Sequence, residues 1–417
     1  MYLYPFFDFR TLALMPWNSW AKLSCLALQN PFLPRTSDWI QQATHQAFLL
    51  ECNTRYHGKP SYGIRKVFFR GEPISVTETV IKKATFGKLI HFQRSASNGE
   101  VNAHIEQDPK ILIIAPLFGH FSTLLRGTIE AMLPSHDVYV TDWTDAKMVP
   151  LAQGFFDLED QIGLLMEWID ELGPHLHVIA AGQSSVGALC ATALLAAQKD
   201  KHQPSTLTLL GGPIDTQNTA CVLCERAQLH PLSWFRETYI QTIPPYHPAF
   251  GRRVYPGIMH FMGASLPTLD KSLMESTQPY RALTRGDEET GASRTSFYEE
   301  YMAVMDVPEE FFIQFIERVY QRRDLACGTF TWRGVKVDPA AITQTALLTI
   351  ESDLDDVSPP GQTRAALALC SNLPAAMKQS HLEIDVGHYG LFNGRKWRNN
   401  IQPIIHKFIR THSNPAI

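Results

Sequence analysis

Between residues 110 and 212 the chain alternates short apolar runs with stretches of helical spacing, and that alternation restricts the possible folds more than any other feature. "KILIIAP" (110–116) is nearly continuous in apolar residues, as a strand buried on both faces of a parallel sheet must be. "HFSTLLRGTIEAML" (120–133) has helical spacing, and "HDVYVTDW" (136–143) reads as the next strand. "DLEDQIGLLMEWIDEL" (157–172) is amphipathic, with acidic residues in its first turn, where a helix favours negative charge. A strand over 176–181, a helix over 186–198 and a strand over 205–212 follow. The rhythm resumes with strand "TALLTIES" (345–352), a helix near 361–371, strand "HLEIDV" (381–386) and a helix near 398–411. Such alternation needs right-handed crossovers and gives a mostly parallel sheet with helices on both faces. Ahead of it, "SVTETVIKKATFGKLIHFQR" (75–94) predicts two strands that turn near Gly87.

The rhythm breaks between about 216 and 335. That segment is rich in Tyr, Phe, Met, His and Pro, and "RTSFYEEYMAVMDVPEEFFIQFIERVYQRR" within it reads as two short helices. The expected organisation is an aromatic, helical N-terminal segment (1–60) packing on the core or cap, a first core part (61–215), an inserted cap (216–335) and a second core part (336–417). A chain of 417 residues with 45% hydrophobic residues can bury a core of that size.

The stretch "VIAAGQSSVGALCATALLA" (178–196) places small residues at a strand-to-helix junction, as a nucleophile elbow requires. Gly182-Gln183-Ser184 supplies the first half of a Gly-x-Ser-x-Gly elbow. The second half departs, because Val186 stands where glycine is expected and Gly187 follows one place late. Ser184 is the expected nucleophile and Ser185 the alternative. A serine needs a base, and the base needs an orienting acid. After strand 345–352 comes "DLDDVSPPGQT" with Asp353, Asp355 and Asp356; after strand 381–386 comes "GHYGLFNG" with His388. Both loops open at the carboxyl end of the sheet, where open parallel sheets place their ligands. Asp215, in "GGPID", is a second position for the acid. The oxyanion hole is expected from the loop "APLFGHF" (115–121), through the backbone of Leu117 or Phe118, together with the amide of Ser185. His120 reads as the first residue of a helix rather than as a base.

A net charge of −4 and basic clusters too short for nucleic acid give no sign of such a partner, and no phosphate or dinucleotide loop is present. Cys221-Val-Leu-Cys224 is a lone pair, expected as packed thiols, and no metal or organic cofactor is called for. Seven cysteines, an odd and scattered set, favour a reducing, cytoplasmic setting. The aromatic N-terminus lacks the basic start and unbroken apolar run of a signal peptide, and no run is long enough for a membrane span. A soluble protein is expected, of unknown oligomeric state.

The blocks "LIIAPLFGHFSTLLRGTIEAMLPSHDVYVTDWTDAKMVP", "GRRVYPG", "FYEEYMAVMD", "VDPAAI", "DLDDVSPPGQT" and "GHYGLFNGRKWR" together resemble the intracellular polyhydroxybutyrate (PHB) depolymerases, over about residues 1–410. The resemblance implies an α/β-hydrolase fold, a cytoplasmic location at storage granules, and hydrolysis of a stored polyester to hydroxybutyrate units. It implies Asp355 as the triad acid and His388 as the base. Its usual nucleophile, a cysteine followed by Gln-Pro after an "HVIA"-like strand, falls in register on Gly182. Three readings follow: the nucleophile has moved to Ser184; it has moved to Ser185; or the chain is a catalytically silent, granule-binding relative. The expected function is polyester hydrolysis through Ser184, His388 and Asp355 with an acyl-enzyme, on a granule surface or hydroxyalkanoate oligomers. A general carboxylesterase or lipase is the rival enzyme.

Overall fold

The computed structural model describes residues 3–28, 30, 33, 37–54, 58–198, 200–259 and 299–413. Two helices, α1 (Leu3–Leu28) and α2 (Asp38–Thr54), precede a first run of strands: β1 (Lys66–Phe69), β2 (Glu72–Ala84) and β3 (Gly87–Ser95). Then α3 (Gly99–Glu106), β4 (Lys110–Ile114), α4 (Arg126–Met132), β5 (Asp137–Trp143), α5 (Leu158–Leu172), β6 (His177–Ala181), α6 (Ser184–Ala196) and β7 (Thr206–Leu210) alternate. After an excursion the chain returns as β13 (Ala346–Ser352) and β14 (Lys378–Glu383), and it ends on the helix Gln402–His412. These strands form one nine-stranded sheet in the order β1-β2-β3-β5-β4-β6-β7-β13-β14. The β1-β2, β2-β3 and β3-β5 pairs are antiparallel and every later pair is parallel. An antiparallel start followed by parallel strands whose order reverses at β4 and β5 is the α/β-hydrolase arrangement.

The apolar runs that read most clearly as strands are the central ones. β6, β7 and β13 are buried along their whole length, and β4 is buried from its second residue on. The last strand is displaced: it spans Lys378–Glu383, three residues before the expected 381–386. It is an edge strand with mostly half-buried or exposed residues, so two-sided burial imposed no apolar run for the sequence to display. The helix expected near 361–371 shrinks to Ala366–Leu369. Ahead of it, the backbone N–H groups of Gly361 and Arg364 donate to the buried Glu351 side chain instead of to a helix.

The excursion between β7 and β13 carries α7 (Val222–Leu229), α8 (Leu232–Tyr239), a small sheet of β8 (Gln241–Thr242), β9 (Arg253–Tyr255) and β10 (Val307–Pro308), and the hairpin β11 (Thr331–Trp332)–β12 (Val335–Lys336). Much of the Met-rich part of the expected cap, residues 260–298, lies outside the described residues. The second expected helix is present as Glu309–Phe315, running on into a π-helical turn over Ile316–Gln321. The excursion sits on the loop after β4: Met305 N–H donates to Gly119 O, and His120 bridges to Val304.

At the N-terminus α1 packs along α2, burying Ala21, Ile40 and Ala47, while Tyr4 Oη donates to Asp306 of the excursion. Trp17, Trp20, Leu23 and Leu26 stay exposed, since the hairpin buries its inner face on itself and leaves the outer one bare.

Candidate active site

Three connections after β-strands converge at the carboxyl end of the sheet. The first follows β13. Asp355 lies three residues beyond the strand, and its Oδ1 accepts from Val357 N–H (2.9 Å) and Ser358 N–H (2.8 Å). That turn fixes the carboxylate and aims Oδ2 at His388 Nδ1, 2.8 Å away. The second follows β14, where His388 opens a 3₁₀ turn over His388–Leu391. A carboxylate at Nδ1 holds the ring proton there and leaves the Nε2 lone pair free to act as a base. The pair is shielded, with the His388 side chain 11% exposed and that of Asp355 fully buried.

The third connection is the strand-to-helix turn after β6. The residue at its apex is Gly182, with φ +57°. A Cβ built on it would lie 3.8 Å from His388 Nε2 and 4.0 Å from Pro116 Cβ, ordinary contacts on the side of the base, although the positive φ strains any residue but glycine. This buried position is where the strained backbone of a nucleophile elbow is found. Gly211, at the end of β7, makes room from the other side: a Cβ on it would meet Leu391, Asp355 Oδ2 and His388 Cε1 at 2.8–3.3 Å. Its φ of +55° also favours glycine.

Ser184 is not brought to the base. It begins α6, is fully buried, and donates its hydroxyl to Ala115 O at 2.7 Å. The Gly-x-Ser frame places the turn two residues too late: β6 ends at Ala181, so the apex falls on Gly182 and Ser184 is already helical. Ser185 donates to Ala180 O at 3.3 Å and is packed against Gly212. Its backbone N–H, expected in the oxyanion hole, bonds Gly182 O at 3.0 Å instead. The amide that follows the apex belongs to Gln183. Cys190 is sealed inside α6, and burial pushes its thiol up to about 12.

The other two expected hole donors do converge. The N–H groups of Leu117 and Phe118 point at a single oxygen, the side-chain carbonyl of Gln183, at 2.5 Å and 2.9 Å; the amide orientation is the one that satisfies its hydrogen bonds. The sequence held no signal for this contact, because a glutamine at a helix start does not disclose where its side chain turns. Phe118 itself lies among the rings of Tyr255, Phe311, Phe312 and Phe315, with centroids 5.5–6.3 Å away.

The remaining candidates have other partners. Asp215 binds the Arg323 guanidinium, and Asp353 accepts from Val386 N–H. His120 is not the start of a helix. It is buried in an extended bridge, with Nε2 3.2 Å from Tyr389 Oη and its ring against Tyr301 and Tyr389, the residue that follows His388. Cys221 and Cys224 form a disulfide rather than packing as free thiols. Among the described residues no group of three His, Cys, Asp or Glu side chains could hold a metal ion, and no helix is long and apolar enough to cross a membrane.

Residues 211–413, the span that holds Asp355, His388 and the excursion, match the family model described as PHB de-polymerase C-terminus. That match covers just under half of the chain, 203 of its 417 residues. No curated protein matches it significantly. Among solved structures it is similar to a monoacylglycerol lipase from Paleococcus ferrophilus (13% identity, TM-score 0.41, 73% of this chain and 95% of that chain). It is also similar to a thermophilic esterase from Thermogutta terrifontis (12%, TM-score 0.43, 82% and 100%) and to a soluble variant of monoglyceride lipase from Saccharomyces cerevisiae (11%, TM-score 0.43, 81% and 96%). The fold of this chain stands on its own strand order and connections.

Proposed function

We propose that this protein hydrolyses hydroxyalkanoate polyester with water as the attacking nucleophile, activated by His388 and Asp355, and without an acyl-enzyme. The observation that carries the reading is Gly182: an elbow apex facing His388 Nε2, with space for a side chain and none present. A water in that space can give its proton to Nε2 as its oxygen attacks the ester carbonyl. Asp355 stabilises the imidazolium that forms, and His388 then returns the proton to the leaving alkoxide. The products are an acid and an alcohol, so the balance closes with one water consumed. Without a side-chain nucleophile, the rate rests on general-base help from His388, worth roughly 10²–10⁴-fold. A polyester as the substrate, and with it a granule surface and a cytoplasmic setting, rests on the family.

The same glycine favours one other reading, a polyester-binding relative without turnover. One experiment separates them: acid release from amorphous poly-3-hydroxybutyrate and from soluble butyrate esters, with fluorophosphonate labelling and peptide mapping alongside. Slow polymer hydrolysis, lost in His388→Ala, with both serines unlabelled, supports the water mechanism. An adduct on Ser184 or Ser185 restores a serine triad and ends it. Granule binding without hydrolysis gives the silent relative, and hydrolysis confined to soluble esters gives a general esterase.

A further inference from the structure

The Leu117 and Phe118 N–H groups already hold an oxygen. Two adjacent backbone donors aimed at one carbonyl oxygen form the geometry that stabilises a developing oxyanion, and here the oxygen belongs to Gln183 of the same chain. Gln183 directly follows the apex glycine, so its side chain crosses the space between Gly182 and the loop after β4. That loop has little freedom to retreat. Ala115 O is held by Ser184 Oγ (2.7 Å) and Trp143 Nε1 (2.8 Å), and Gly119 O by Met305 N–H (2.9 Å). A substrate carbonyl therefore gains the two donors by displacing the Gln183 amide, not by moving the loop.

We infer that the Gln183 side chain is a gate in the oxyanion hole, which an ester carbonyl must displace before His388 can act on it. The inference rests on the reading that this site takes ester carbonyls. Gln183 touches the donors and not the reacting atoms in the closed form, so it sets access rather than chemistry. The gate lowers affinity only for ligands whose carbonyl enters the hole; a ligand of the same shape without a carbonyl has no need to displace it.

The test is equilibrium binding, which does not depend on turnover. Methyl 3-hydroxybutyrate and its ether analogue 4-methoxybutan-2-ol are titrated by ligand-observed NMR into the full-length protein and two variants. Gln183→Met keeps the volume and removes the acceptor. It is expected to bind the ester about tenfold more tightly, the equivalent of one net hydrogen bond, with the ether unchanged. Gln183→Glu supplies a charged acceptor, which grips the N–H pair more strongly. It is expected to weaken the ester below wild type at neutral pH and to recover as the carboxylate is protonated. Opposite shifts from two substitutions at one position are what a merely structural residue would not produce. Equal weakening in both variants, no change in either, parallel changes for ester and ether, or no ester binding by any of the three proteins overturns the gate. Absent turnover with the predicted binding shifts would sink the water mechanism and leave the gate standing.

Discussion

The loops after β13 and β14 and the turn after β6 reach the same point in space and are in different chemical condition. The first two present an acid and a base in bonded register, with Asp355 fixed by two backbone amides and joined to His388 at 2.8 Å. The third keeps the shape of a nucleophile elbow, a positive-φ apex between a buried strand and a buried helix, and carries no functional group. The geometry of an elbow and the atom it presents are thus separable. Strand end, glycine-tolerant φ and the space in front of His388 belong to the backbone, and a single side chain supplies the nucleophile.

The sharpest way to break the comparison is to fill the apex. Gly182→Cys places a thiol before His388 Nε2, in the setting that forms thiolates. Turnover of p-nitrophenyl butyrate should rise at least about a hundredfold, a fraction of the ~10⁶ a nucleophile contributes within a complete triad. A burst and an acyl adduct at residue 182 by intact mass should accompany it. A variant that folds and neither bursts nor gains activity would mean that the turn does not face the base. Next in size, Asp355→Asn should cut the wild-type hydrolysis by about 10²-fold by releasing the imidazole tautomer, read as a fall in kcat with little change in KM. An undiminished rate would remove the pair from the mechanism.

Ser184→Ala is the converse probe. It should leave turnover within about twofold and cost about 1 kcal/mol of stability, because Ala115 O keeps its Trp143 donor while one buried hydrogen bond is lost. Loss of all activity would return the nucleophile to Ser184. The smallest effect concerns the join between core and excursion, where burial and the neighbouring Asp306 carboxylate raise the pKa of Asp145 while the Lys147 ammonium opposes the shift. A carboxyl whose folded pKa is raised stabilises the fold fully below its unfolded pKa, and this is lost as pH rises through the folded value. Melting temperature should therefore fall as pH climbs above the ordinary carboxylate range, and Asp145→Asn should flatten that slope.

Legibility in the sequence followed the physical origin of each feature. The parallel strands were readable because burial on both faces forces apolar runs, while the edge strand β14, lacking that demand, was misplaced by three residues. Asp355 and His388 were readable because each lies close behind its strand and their order along the chain restricts the choice. The apex of the turn falls two residues before Ser184, and a Gly-x-Ser pattern does not reveal which residue takes the positive φ. Placing "HVIA" in register with a depolymerase's strand had already pointed at Gly182. Gln183 and the Cys221–Cys224 disulfide were missed for another reason: both depend on where side chains turn in space, which neither spacing nor periodicity records.

The bare apex also has a genetic reading. Two of the four glycine codons become cysteine or serine codons through a change in the first base alone. While the loops behind Asp355 and His388 are maintained and Gly211 leaves them room, a side-chain nucleophile is one point mutation away wherever position 182 uses one of those two codons. Selection on such a gene can therefore move between a slow hydrolase and a fast one without passing through an unfolded intermediate.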